Sequence, residues 1–203
     1  MTTVAYSDVL GRINALCGVL SPTTDIQTAT LSFVNRRANM AYKACDFWPR
    51  YLVAGESRTV TNNVIPYSEL GKNNIDTFLR IHKAYVPFYQ YSSVELEFYV
   101  DGDGAHVVND STSASTTYVT YKKVWEGPYN TSSNIPEEWY DYICQAVYAD
   151  RLRSDGKNEI AVAEERAADD ILQQRLTRTD VVRSVGMIAH RISTHVNRAY
   201  RRN

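Results

Sequence analysis

The chain has 203 residues, 44% of them hydrophobic and 22% charged, with a formal net charge of −1. That balance is globular and excludes a fully disordered chain, a collagen-like fibre and a coiled-coil rod. A chain of this length removes roughly 70% of its unfolded surface from water, so its core needs no disulfide or metal staple.

Tyr6, Val9, Leu10, Ile13, Leu16, Cys17 and Leu20 recur at helical spacing and predict a first helix. Ser7 is its expected N-cap, and Ser21-Pro22 its stop. A second helix starts at Thr24 or Asp25 and carries Leu31, Val34, Ala38, Ala41, Tyr42 and Cys45 on its apolar side. Arg36, Arg37 and Lys43 read as pointing away from that side. The helix should end just before Trp48-Pro49, because a residue preceding proline avoids the helical region.

From 50 to 130 the helical period gives way to β-branched residues, tyrosine and turn residues. Strands are expected at about 51–54, 57–61, 79–88, 92–101, 105–109 and 116–125, with a loop through Asn62-Asn63 and Pro66. Glu95, Glu97 and Tyr99 alternate with Val94, Leu96, Phe98 and Val100, the mark of a sheet with one wet face. Asp101-Gly102-Asp103-Gly104 reads as a hairpin turn. Residues 109–117 read as a polar loop.

Helices resume at Pro136, which suits a first helical turn, with Glu137 and Glu138 favoured by the helix dipole. The stripe Trp139, Tyr142, Ile143, Ala146, Val147, Ala149 and Leu152 leads to a stop at Asp155-Gly156. The next helix carries Ile160, Ala161, Ala167, Ala168, Ile171, Leu172 and Leu176. Beyond it, Val181, Val182, Val185, Ile188, Ile192, Val196 and Tyr200 keep a spacing of three to four, broken at Gly186.

The expected fold class is therefore α+β. Helices from the N- and C-terminal parts (1–50 and 131–177) form a bundle. An antiparallel β-rich segment (51–130) is inserted between them, and a basic C-terminal arm (178–203) follows.

The net charge conceals an asymmetry. Residues 175–203 hold Arg175, Arg178, Arg183, Arg191, Arg198, Arg201 and Arg202 against the single acid Asp180. That segment carries +6 and the remainder −7, so a basic end sits on an acidic body and reads as an electrostatic docking arm. The 15 tyrosines suit half-buried strand faces and protein interfaces alike.

Sites for chemistry are sparse. Cys17, Cys45 and Cys144 are far apart and lack metal-ligand spacing, so they read as free thiols in a reducing compartment. His190 and His195 stand five apart, not the four of a helical metal pair, and His82 and His106 lie in or beside strands. The Asp101 loop fails the EF-hand pattern, with Ala105, His106 and Thr112 where an acid, a glycine and a bidentate acid belong. No phosphate-binding glycine loop and no nucleophile elbow occurs. No enzyme activity, cofactor or metal is expected. No apolar run approaches the roughly eighteen residues of a membrane helix, so no membrane partner is expected either. The opening MTTVAYSDVL lacks the pattern of a cleaved secretory signal.

Several stretches together carry a family resemblance. They are FVNRRANMAYKACDFWPR (33–50), IDTFLRIHKAYV (75–86), FYVDGDGAHVV (98–108) and TTYVTYKKVWEGPY (116–129). IPEEWYDYICQAVYADRLRSDGKNEIAVAEERAADDIL (135–172) completes the series. In this order and spacing the chain resembles the head-to-tail adaptor (connector, or head-completion) proteins of tailed bacteriophages. The resemblance implies a structural virion protein of the neck, made in the host cytoplasm. It would assemble as a ring, usually a dodecamer, beneath the portal protein. It would extend the DNA channel and meet a downstream tail or neck protein. By the same analogy Arg175 to Arg202 would dock on the portal or contact packaged DNA. Trp48, Trp125 and Tyr129 are candidate anchors between subunits or toward the tail, whereas Trp139 reads as core.

Two other readings compete. A sequence-nonspecific nucleic-acid-binding protein would use the arginine tail on phosphates. A carbohydrate- or receptor-binding module would use the tyrosine-rich sheet.

Overall fold

A computed structural model describes residues 2–85, 95–108 and 116–178. In chain order the elements are β1 (Thr3–Ala5), α1 (Tyr6–Cys17), α2 (Thr24–Lys43), β2 (Leu52–Thr59), β3 (Val64–Pro66) and β4 (Ile75–His82). There follow β5 (Phe98–Val100), β6 (Gly104–Val107), β7 (Thr116–Lys123), β8 (Asn134–Pro136), α3 (Glu137–Ser154) and α4 (158–178). The chain is mixed α+β, and among the described residues all strand pairings are antiparallel. It divides into two compact units, one of residues 2–45 and 126–178, the other of residues 46–125.

The helical unit is organised by α3, which packs against both α1 and α2. Its expected stripe, from Trp139 through Leu152, is buried throughout, and Cys144 and Asp150 are buried with it. A helix buried on this much of its circumference is the core of its unit. From α1 it meets Tyr6, Val9 and Ile13, and α2 contributes Val34, Ala38, Ala41 and Tyr42 to the same core. On α4 the buried side chains are Ala161, Ala168 and Leu172. Ile160 and Ala167, expected on that seam, are exposed, because each sits about 100° around the helix from a buried neighbour.

The helix ends differ from expectation in instructive ways. The N-cap of α1 is Ala5, without a side-chain bond, and not Ser7. Strand β1 pairs with β8 (Thr3↔Pro136, Val4↔Ile135, Ala5↔Asn134), which places the Ser133 carbonyl to accept from Tyr6 N at 3.0 Å. The backbone thus satisfies the donor that a cap side chain normally serves. The helix stops at Gly18 (φ 68), ahead of Ser21-Pro22. Gly18 N and Val19 N donate to Ala15 O and Asn14 O at 3.2 and 2.9 Å, a left-handed closure suited to glycine. Leu20 falls outside the helix and is exposed. Thr23 caps α2. That helix ends at Lys43, short of the Trp48-Pro49 limit, and the chain turns so that Trp48 O accepts from Tyr51 N and Leu52 N. Pro136 is the last residue of β8 and the N-cap of α3, not part of its first turn. Asp155 and Gly156 (φ 77) end α3 as expected.

The β unit holds two three-stranded antiparallel sheets, ordered β2-β7-β4 and β3-β6-β5. Their shared core is Ile65, Ile75, Phe78, Ile81, Ala105, Val107, Val119 and Tyr121. The two strands expected at 51–54 and 57–61 are one strand, β2, whose register shifts between Val53 and Glu56. The break in the apolar pattern is therefore a bulge. The loop expected through Asn62-Asn63 and Pro66 contains β3. Both asparagines have positive φ (52 and 63), and Thr61 and Val64 exchange hydrogen bonds across them at 3.0 and 2.9 Å. Those dihedrals make a two-residue hairpin. Strand β4 starts earlier than expected, at Ile75, and β5 is shorter, beginning at Phe98. The alternation holds through Glu95, Leu96, Glu97 and Phe98, then fails at Val100, which is exposed. The Asp101–Gly104 turn is a hairpin, with Asp101 Oδ1 accepting from Asp103 N at 2.9 Å and Gly104 N at 3.3 Å. Residues 86–94, 109–115 and 179–203 lie outside the described residues. So do the expectations that fall on them, including the polar loop and the helical spacing of the arm.

Candidate functional site

Arg175 and Arg178, the first two arginines of the basic segment, lie three apart on the last turns of α4, on neighbouring positions of one face. They border a cavity of about 480 Å³ in the helical unit. Arg12 and Leu16 of α1 and Tyr140 and Gln145 of α3 line the same space. Helical spacing makes the site: Arg12 and Leu16, Tyr140 and Cys144, and Asp141 and Gln145 are each four apart. Arg175 Nη2 lies 3.2 Å from Asp141 Oδ2. Three guanidinium groups and one carboxylate thus line the cavity. Burial pushes the Tyr140 hydroxyl above its ordinary pKa, with Cys144 adding to the rise and Arg12 opposing it. Burial pushes the Cys144 thiol up to about 12, so it stays protonated and behaves as an apolar group with its Sγ toward Val9 O.

Two of the helices that carry this cavity, α3 and α4, are tied to α2 by a charge cluster. Arg37 of α2 donates to Asp150 of α3 twice, Nε to Oδ2 at 2.9 Å and Nη2 to Oδ1 at 2.6 Å. The same Nη2 reaches Glu165 Oε1 of α4 at 2.8 Å. Arg37 is 3% exposed and Asp150 is 3% exposed. Arg36 and Arg153 close the outer side, at 2.5 Å from Asp150 and 2.6 Å from Glu165. Burial alone would lower the Arg37 pKa, but its hydrogen bonds to Asp150 and Glu165 outweigh burial and raise it. Hydrogen bonds from Arg37 and then Arg153 hold the Glu165 carboxyl below its usual value. Arg37 was expected to point away from the apolar stripe and does the reverse. Its position between Val34 and Ala41 puts it on the buried side, where the paired carboxylate makes burial tolerable.

In the β unit the buried polar centre is Arg58, fully enclosed, with Nη2 at 2.6 Å from Tyr121 Oη and 2.7 Å from Glu56 Oε2. Its guanidinium lies 4.8 Å from the Tyr121 ring centroid. Tyr121 donates to Glu56 at 2.7 Å, and burial first, with Glu56 second, pushes its pKa up to about 12. At the surface, Tyr99 stacks on His106 with centroids 4.7 Å apart, and His106 Nε2 is 2.7 Å from Asp101 Oδ2. Burial lowers the pKa of His82, keeping it neutral in its strand.

The candidate aromatic anchors separate. Trp48, in the β unit, is 1% exposed. Tyr129 is 8% exposed, its backbone clamped by Asn35, whose Nδ2 donates to Tyr129 O at 3.0 Å and whose Oδ1 accepts from Tyr129 N at 2.6 Å. Both rings are buried within the chain. Trp125 is half-buried and keeps an accessible edge. Trp139 is fully buried, as expected of a core residue. Arg183, Arg191, Arg198, Arg201 and Arg202 lie outside the described residues, as do His190 and His195.

Sequence reasoning named Arg175 and Arg178 but missed Arg12, Tyr140 and Asp141 beside them, and it missed the Arg37–Asp150–Glu165 cluster. The cluster had a signal: two opposite charges, each embedded in an apolar helical stripe. Among the described residues no three His, Cys, Asp or Glu side chains gather as a metal site, and no helix is long and apolar enough to cross a membrane. All three cysteines are free, Cys144 buried and the other two half-buried. No protein-family model and no curated protein matches the chain.

Proposed function

We propose that this chain is a head-to-tail adaptor of a tailed bacteriophage, a non-enzymatic virion protein whose copies close a ring beneath the portal. The observation that carries the reading is the order of the chain. Residues on both sides of a contiguous β unit contribute helices to one unit, and the last turns of α4 open the segment 175–203, of net charge +6. In this reading α1 to α4 form a bundle that bears the ring contacts, and the arginine segment docks on the portal or lines the DNA channel. The β unit meets neighbouring subunits and the next tail or neck protein. The mechanism is geometric: each subunit offers two different patches, and the heterologous contact closes by rotation. Of the aromatic anchors, Trp125 retains the exposure such a contact needs.

Quantitative mass spectrometry of purified particles tests this by counting the chain against the portal protein. One ring per portal is the expected ratio; absence from the particle overturns the adaptor reading. Removing 178–203 should leave a folded protein that no longer joins particles. Incorporation of the truncated chain at the normal level would remove the docking role of the arm. If particles lack the protein, salt-dependent binding to duplex DNA becomes the property to measure.

A further inference from the structure

We propose that the cavity between α1, α3 and α4 is a recognition site for a carboxylate side chain presented by an acidic peptide segment of a protein partner. Arg12, Arg175 and Arg178 converge on it from two helices, and a third helix supplies Asp141 and Tyr140. Asp141 engages Arg175 at 3.2 Å. Among the described residues neither Arg12 nor Arg178 has a carboxylate partner. The one carboxylate present shows which ligand the guanidinium groups accept, and the planar fork of arginine matches a second. The walls fit a side chain rather than a bare ion: Leu16, Ile171 and the Tyr140 ring suit the methylene stem of Glu, and Gln174 offers an amide beside the charge. A duplex backbone fits less well. Its phosphates present on a convex surface, which a concave site lined by side chains from three helices does not match. The inference does not depend on the protein's place in a virion, and the two can fail separately.

The test is fluorescence anisotropy of the full chain with a labelled peptide rich in Glu and Leu, at physiological salt. The Gln-for-Glu peptide, inorganic phosphate and a short DNA duplex serve as comparators. The acidic peptide should bind and the Gln peptide should not. Arg12→Gln and Arg178→Gln should each weaken binding at least tenfold, the range for losing a charge-assisted hydrogen bond. Both residues are exposed on separate helices, so circular dichroism should be unchanged in either variant. Arg198→Gln/Arg201→Gln/Arg202→Gln, at positions of the basic segment that the proposal does not use, should change affinity no more than about twofold. The proposal is overturned if the peptide fails to bind, or if the triple variant abolishes binding that Arg12→Gln leaves intact. It is equally overturned if duplex or phosphate displaces the peptide at lower concentration than unlabelled peptide does, because the site then selects phosphate.

Discussion

Arg37→Met should destabilise the helical unit by about 3–5 kcal/mol, the range for removing one member of a buried ion pair. The cost arises from what is left behind. Asp150 is 3% exposed and would keep a single outer contact to Arg36 and a 3.6 Å contact to Arg153, both arginines being partly solvated. Guanidinium denaturation followed by far-ultraviolet circular dichroism measures the loss. Arg37→Met/Asp150→Leu should recover most of it, since an apolar pair of similar volume leaves no charge to desolvate. A double variant as unstable as the single would show that the cluster stabilises α2 against α3 by shape and not by charge compensation. The same cluster predicts an acid response. Glu165 has a folded pKa below its ordinary value of 4.5. Its contribution is therefore complete above that value and is lost as pH falls through the lower folded value. Glu165→Gln should be less stable than the parent near neutrality and should lose less stability on acidification.

Gly104→Ala should cost the β unit roughly 3 kcal/mol or more, combining an unfavourable positive φ with a steric clash. At φ 149 the backbone of Gly104 is in a region that side chains rarely enter, and a Cβ there would stand 2.1 Å from the Ile65 carbonyl oxygen. That oxygen belongs to β3, paired to β6 through Pro66↔Gly104 and Ile65↔Ala105, so relief requires the two strands to part. Ile65 and Ala105 are core residues, and the disturbance enters the hydrophobic cluster directly. Gly102→Ala is the control, with nothing within 4 Å of its added Cβ. It should stay within about 0.5 kcal/mol of the parent. Equal loss in both variants would mean that the turn, and not the β3–β6 approach, needs glycine.

The long periodic segments were legible and the short ones were not. Trp139 through Leu152 advertise α3 because seven apolar residues repeat at the period of one face, and each of them is buried. Asp101 to Gly104 announce their hairpin by turn chemistry alone. β1, β3 and β8 have three residues each, too few to display a period of two, and they exist because a distant partner completes their hydrogen bonds. Asn62-Asn63 was a usable hairpin signal that read as an ordinary loop. Residue type misled in two ways. Arg37 was placed outside because it is charged, although Asp150 lies 113 positions away to receive it. Trp48 and Tyr129 read as candidate anchors because aromatics favour interfaces, and in the single chain both rings are buried, as aromatics in interiors are. Of the cavity, Arg175 and Arg178 were found by counting charge. Arg12, Tyr140 and Asp141 join them only through the packing of helices far apart in sequence.

The helical unit is discontinuous, and that has a consequence for how the protein is made. Residues 46–125 emerge from the ribosome as one uninterrupted stretch, and the last strand of the two sheets, β7, emerges before α3 does. α1 and α2 are synthesised before the β unit yet must wait, because the helix they pack against starts at Glu137 and the acid that neutralises Arg37 is residue 150. During that interval Val9, Ile13, Val34 and Ala38 have no partner surface from α3. The β unit can thus be completed before the helical one, and α1 and α2, translated ahead of it, are sheltered from chaperones and proteases only after it.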